Sequence, residues 1–154
     1  MILKSFEINK INLITNKIIL FYGKNEGYKN EEINKIKKRF ETIEKYDEKK
    51  ILDNIQSFYE QLTNESLFEK EKLIIIDQTS DKIINIIKDL LEMTLKDVWL
   101  ILNSGILEKK SKLRNLFEKR KNLIVVPVYE DEMKSLMPIL NQFLKEHKIK
   151  LSRE

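Results

Sequence analysis

Four short runs of continuous apolar residues divide the chain: Ile18-Ile19-Leu20-Phe21-Tyr22, Leu73-Ile74-Ile75-Ile76, Val98-Trp99-Leu100-Ile101-Leu102 and Leu123-Ile124-Val125-Val126. None alternates with polar residues, and all are rich in β-branched or aromatic side chains. Such runs predict strands covered on both faces, as in a parallel sheet. A weaker fifth strand is predicted near Phe40-Glu41-Thr42-Ile43-Glu44. Between the runs the apolar period becomes that of a helix. Ile33, Ile36 and Phe40 form one stripe, and Ile51, Leu52, Ile55, Phe58, Tyr59 and Leu62 form a second. Ile83, Ile84, Ile87, Leu90 and Leu91 form a third, with Ser80 or Asp81 as its cap. Leu113, Leu116 and Phe117 form a fourth; Ile139, Leu140, Phe143 and Leu144 form a fifth, opened by Pro138. Strands alternating with helices predict βαβ units. The expected class is α/β, a mostly parallel five-stranded sheet with helices on both faces. Trp99 and Tyr22, inside strand runs, are expected in the core.

Composition narrows the class without changing it. The chain has 154 residues, 42% apolar and 35% charged, which is one globular domain's worth. It has no cysteine, so disulfides, a thiolate nucleophile and a cysteine-based metal site are excluded. A reducing, cytoplasmic compartment fits. Glu7 and Lys10 interrupt any signal-peptide core, and no apolar run is long enough to span a membrane. The net charge of +4 is uneven. Residues 1–50 carry 12 basic and 8 acidic side chains, residues 51–100 carry 5 and 10, and residues 101–154 carry 12 and 7. Solvated helix faces are the simpler reading of these patches; a partner meeting different fields is the other.

Ligands of parallel sheets bind at the carboxyl ends of the strands. The first run ends at Gly23 and leads through Lys24-Asn25-Glu26-Gly27-Tyr28-Lys29-Asn30 into a helix, which is the position of a P-loop. That motif, G-x-x-x-x-G-K-[ST], needs a second glycine for close backbone approach, a lysine for the terminal phosphates and a hydroxyl for Mg²⁺. Counting from Gly23, those places hold Tyr28, Lys29 and Asn30. Tyr28 adds bulk, and Asn30 replaces the hydroxyl and is expected to cap the helix instead. The second run ends in Asp77-Gln78, the outline of a Walker B strand with Gln where a water-activating Glu would stand. An amide is no general base. The third run ends at Asn103, where a residue sensing the γ-phosphate would sit. The layout is that of a P-loop ATPase. ATP hydrolysis is not expected, and neither a catalytic residue, a metal nor a cofactor is assigned. Rival readings are a P-loop nucleotide-binding enzyme, which Tyr28, Asn30 and Gln78 oppose, and a generic α/β interaction module.

Two features remain outside the core pattern. Leu67 and Phe68 fall out of register with the second stripe, within the charged stretch Asn64-Glu65-Ser66-Leu67-Phe68-Glu69-Lys70-Glu71-Lys72. On spacing alone the simpler reading is that they tuck under the next strand; the alternative is that they project to a partner. Lys109, Lys110, Lys112 and Arg114, with Lys119, Arg120 and Lys121, make a basic cluster. Its simpler reading is a solvated helix face; the other is contact with the DNA backbone. His147, the single histidine, is assigned no role.

The strand ending Leu-Phe-Tyr-Gly, followed by a helix and then Glu65-Ser66-Leu67-Phe68-Glu69-Lys70-Glu71-Lys72-Leu73-Ile74-Ile75-Ile76-Asp77, resembles the δ subunit of the bacterial DNA polymerase III clamp loader. So do the segment from Leu100 to Leu113 and the closing stretch from Phe143 to Ser152. The resemblance covers essentially the whole chain. It implies a degenerate AAA+ amino-terminal domain over residues 1–145, with residues 146–154 opening a helical lid domain that is cut short. It implies a non-catalytic subunit that grips and opens the β sliding clamp during DNA replication. Its partners would be the clamp, the other loader subunits through regions outside this chain, and primed DNA indirectly, with no membrane. The family's clamp contact maps onto Ser66, Leu67 and Phe68, which reverses the simpler reading of that pair. The family often carries an apolar residue just before the serine, where this chain has Glu65.

Overall fold

The structure is a computed structural model. It describes residues 1–3, 7–8, 11–63, 71–93, 96–129, 141, 144–145 and 147. Five strands form one sheet: β1 (Ile18–Tyr22), β2 (Thr42–Asp47), β3 (Lys72–Asp77), β4 (Val98–Ser104) and β5 (Ile124–Pro127). Their order is β2-β3-β4-β1-β5, and every pairing is parallel. The helices are α1 (Glu26–Lys37), α2 (Glu48–Asp53), α3 (Ile55–Thr63), α4 (Ile84–Glu92) and α5 (Lys112–Lys119). A 3₁₀ turn, Asp81–Ile83, precedes α4. The α/β class, the parallel sheet and helices on both faces are as the apolar pattern predicts.

Strand alternation divides the core into two layers. Ile18, Leu20, Ile74, Ile76, Leu100 and Leu102 point to one face, where Ile51, Phe58, Ile87, Leu113 and Phe117 of α2 to α5 cover them. Ile19, Phe21, Leu73, Ile75, Trp99 and Ile101 point to the other, where Ile33 and Ile36 of α1 meet them. Both faces are therefore sealed, which is why the strands read as unbroken apolar runs. Each such buried side chain stabilises by about 1.5–3 kcal/mol. Trp99 stacks on Phe40 at 5.2 Å and donates its indole N–H to the Leu13 carbonyl at 2.7 Å.

Several expectations shift in detail. The fifth strand lies at Thr42–Asp47, starting two residues later than the expected segment, because Phe40 packs in the α1 layer rather than pairing. The second stripe is two helices, broken at Asn54, whose φ of −147° and ψ of 69° are not helical. The fifth stripe, around Ile139 and Phe143, falls largely outside the described residues. Ile2 bridges Val125 beside β5, an edge pairing that the pattern did not signal. Among the described residues no helix is long and apolar enough to cross a membrane.

Candidate functional site

From β1 the chain crosses to β2 at the far edge and returns through β3 and β4 to lie beside β1, with β5 on the other flank. α1 leaves β1 on one face, while α5 leads to β5 on the opposite face. The crevice at such a switch point opens beyond the carboxyl ends of the strands. It encloses about 570 Å³ here and is lined by Glu26 and Asn30 of α1, Asp77 and Gln78 at the end of β3, and Asn103, Ser104 and Gly105 at the end of β4.

The turn that leads into α1 is shorter than a phosphate-wrapping loop. The helix begins at Glu26, leaving only Gly23, Lys24 and Asn25 between β1 and α1. Gly23 is fixed by packing: its φ is +131°, and a Cβ there would lie 1.7 Å from the Val128 carbonyl oxygen. The Gly23 N–H donates to the Gly105 carbonyl at 2.9 Å. Asn25 is the N-cap, its side-chain oxygen accepting from the Tyr28 N–H at 3.0 Å. Asn30 was expected to cap this helix; it lies instead inside α1, because the helix starts five residues earlier in the chain than a P-loop would allow. The Tyr28 ring packs against the α1 core layer.

Lys29 shares the core-facing stripe of α1 with Ile33 and Ile36 and is fully buried. Its ammonium donates to the Ser104 carbonyl at 2.5 Å and to Glu26 Oε1 at 2.7 Å. The lysine that a P-loop would aim at terminal phosphates therefore ties α1 to β4. Across the crevice, Asn103 Nδ2 donates to Asp77 Oδ1 at 2.8 Å. Gln78 turns the chain off β3 in the left-handed region, at φ 58°. Thr79 and Ser104 share a hydroxyl hydrogen bond at 2.5 Å beneath it.

These groups do not fit a polyphosphate with its divalent cation. The loop is too short to wrap phosphate, and the cap oxygen of Asn25 already takes an N–H that would meet one. Lys29 is bound elsewhere, and the carboxylates of Glu26 and Asp77 line the space. Among the described residues no cluster of three or more acidic, histidine or cysteine side chains could hold a metal.

Of the residues singled out in the sequence, Asn30, Asp77, Gln78 and Asn103 come together in the crevice, and Lys29 sits beside it. Sequence reasoning missed Glu26, Asn25 and Ser104. The Asn25 to Glu26 pair after Gly23 did carry a signal, a capping residue followed by an acid at a helix start. Ser66, Leu67 and Phe68 lie outside the described residues, between α3 and β3 in the chain. In the basic cluster, Lys109, Lys110 and Lys112 are exposed, with Lys110 paired to Glu108 at 3.0 Å. Arg114 is different: it donates to Glu118 at 2.7 Å and to the Leu107 carbonyl at 3.2 Å, and lies 5.1 Å over the Tyr22 ring. Burial, and then the neighbouring Tyr129 hydroxyl, raise the Tyr22 phenol above its ordinary pKa.

No protein-family model and no curated protein sequence matches the chain. Among solved structures it is similar to the Bacillus subtilis DNA clamp loader delta protein (YqeN), with a TM-score of 0.69 at 13% identity over 93% of this chain. The chain spans about half of that protein, 48% of its length. At this identity the likeness is one of fold alone.

Proposed function

We propose that the chain is a non-catalytic clamp-loader subunit of the delta type, which binds a ring-shaped sliding clamp and helps to open it during DNA replication. The observation that carries this reading is the shared fold with a clamp loader delta protein over 93% of the chain. Two further features support it. The β1–α1 turn is self-satisfied rather than phosphate-binding, so the fold serves as a scaffold here. Ser66, Leu67 and Phe68 place two large apolar side chains in an otherwise charged connection.

The work is mechanical. Leu67 and Phe68 enter an apolar pocket of the clamp and bind its distorted form more tightly than its closed form, which shifts the ring towards opening. ATP acts in other subunits. The test is a binding titration of this chain against a sliding clamp, beside the Leu67→Ala/Phe68→Ala double variant. Each anchor is worth about 2 kcal/mol as a hot spot, so the pair should weaken binding by roughly a thousandfold. Far-ultraviolet circular dichroism should stay unchanged. Equal affinity of both proteins, or none by either, sinks the assignment.

A further inference from the structure

Two of the most exposed large apolar side chains among the described residues stand at the carboxyl end of the sheet. Ile106 is 63% exposed and Tyr129 65%. They follow β4 and β5, and β1 lies between those strands. Its end ties both segments down: the Gly23 N–H donates to the Gly105 carbonyl at 2.9 Å, and the Val128 N–H donates to the Tyr22 carbonyl at 2.7 Å. Arg114 of α5 completes the link. Its guanidinium donates to the Leu107 carbonyl at 3.2 Å and lies 5.1 Å over the Tyr22 ring, while the Tyr22 and Tyr129 hydroxyls share a hydrogen bond.

The core does not use these two side chains. Their chain neighbours Leu107 and Val128 are buried, one in each core layer, and leave Ile106 and Tyr129 outside. Tyrosine and arginine are the residue types that anchor interfaces, and Arg114 is already held by Glu118 at 2.7 Å, so little freedom is lost when a partner arrives. The charge beside them is one-sided. Lys109, Lys110 and Lys112 are exposed just before and at the start of α5. Lys110 is paired with Glu108, whereas Lys109 and Lys112 make no ion pair among the described residues. A nucleic-acid backbone needs a track of available cations. Here two of the four basic side chains, Lys110 and Arg114, are already neutralised by acids.

We propose that this corner of the carboxyl rim docks a second protein through an apolar side chain flanked by carboxylates. The apolar group packs on Ile106 and Tyr129, and the carboxylates meet Lys109 and Lys112. Exposed apolar area supplies the contact, and complementary charge selects the partner and its orientation. The proposal does not rest on the clamp reading. The connection that bears Leu67 and Phe68 joins β3 at its amino end, whereas Ile106 and Tyr129 follow carboxyl ends of strands that all run parallel.

The test is an NMR titration of the folded chain with three blocked hexapeptides: Asp-Glu-Leu-Val-Glu-Asp, its apolar-free relative Asp-Glu-Ser-Ser-Glu-Asp, and the basic Lys-Lys-Leu-Val-Lys-Lys. Saturable shifts at the Ile106 methyls and the Tyr129 amide are expected with the first. The second should bind about tenfold more weakly or worse, and the third not at all. The Ile106→Ser/Tyr129→Ser double variant changes exposed residues and should keep its circular dichroism while losing about tenfold or more in affinity. Lys109→Glu/Lys112→Glu should lose a similar factor at low salt, with the gap to the wild type closing near 1 M salt. Oligothymidine tests the other class of partner: tighter binding than the acidic peptide at the same residues marks a nucleic-acid interface and overturns the proposal. Equal binding of the three peptides, full affinity in the folded double variant, or no saturable shift with any peptide overturns it as well.

Discussion

The amino ends of α1 and α5 open on the same rim of the sheet, and they are satisfied in opposite ways. α1 is capped from within: Asn25 takes the Tyr28 N–H, three residues along the chain. α5 is capped from afar. Ser111 caps it locally through the Arg114 N–H, but the Asp81 carboxylate, some thirty residues upstream, accepts from the Lys112 and Leu113 N–H groups, each at 2.9 Å, and from the Ser111 hydroxyl at 2.6 Å. Helix amino ends are ready-made anion sites. In this chain both are filled by its own oxygens, one amide and one carboxylate. The comparison teaches that the lack of a phosphate site at this rim rests on more than missing motif residues: the N–H donors at both helix starts already have internal partners.

The sharpest way to break the comparison is to disturb the frame that holds α1 in place. Gly23→Ala puts a Cβ 1.7 Å from the Val128 carbonyl oxygen at a φ of +131°. Backbone strain and steric displacement of the segment just after β5 should together cost about 3 kcal/mol or more. A thermal melt should show a fall of roughly 6–12 °C for a domain of this size, or outright loss of folding. An unshifted melt would mean that the turn is free to relax, and the self-satisfied reading of α1 would lose its anchor.

Asp81 comes next. Asp81→Ala removes two backbone acceptor contacts and the Ser111 partner at once, and should cost about 2 kcal/mol, the upper end for a helix cap. Acid dependence sharpens this. Burial alone would raise the Asp81 pKa, but the Ser111 hydroxyl and the amides of Leu113 and Lys112 outweigh it and hold the carboxyl below its ordinary value. A depressed folded pKa adds stability above the unfolded value of about 4, and that stability is lost as pH falls through the lower folded value. Denaturant titrations of the wild type and Asp81→Asn should therefore differ most near neutrality, begin to approach one another below about pH 4, and converge only as the pH falls through the lower folded value. A gap independent of pH would show that shape, not charge, makes this cap.

The two caps also mark where the sequence was legible and where it was not. Four of the strands were readable because both of their faces are buried, as in Leu73 to Ile76 and Val98 to Leu102, whereas the half-buried β2 gave only a weak signal. The crevice was readable through strand ends, since a sheet register that pairs Asp77 with Asn103 follows once both runs are strands. Helix starts were harder. Asn30 was expected as the cap of α1 because the P-loop count placed it there, whereas Asn25 stands nearer the strand and local hydrogen bonding decided the matter. Ser80 or Asp81 was expected to cap α4. Ser80 does cap the 3₁₀ turn before it, through the Lys82 N–H at 3.3 Å, but Asp81 serves α5. A contact between residues 81 and 113 leaves no periodic trace in one sequence. The buried Lys29 likewise reads as a phosphate ligand until the Ser104 carbonyl is seen against it.

Asn25→Ala should have a smaller effect than the Asp81 change, about 1 kcal/mol, since one local side-chain cap is lost and water can reach the α1 amino end. The comparison predicts that the two losses add, because the caps share no partner. A double variant whose destabilisation exceeds the sum by more than about 0.5 kcal/mol would reveal coupling through the crevice.

The smallest expected effect is none at all. A ligand bound at a hundred times its dissociation constant stabilises by about 2.7 kcal/mol, which would raise the melting point of a domain this size by several degrees, about 5–10 °C. Millimolar Mg²⁺-ATP should leave the melt where it was. Its phosphates would meet Glu26 and Asp77 rather than a lysine, and a cap oxygen rather than a free Tyr28 N–H. The measurement gains force from the Asn25→Ala variant, which frees that N–H without moving Lys29 from the Ser104 carbonyl. If ATP stabilises this variant but not the wild type, the cap alone was excluding phosphate. If it stabilises neither, the buried lysine and the two carboxylates close the site by themselves.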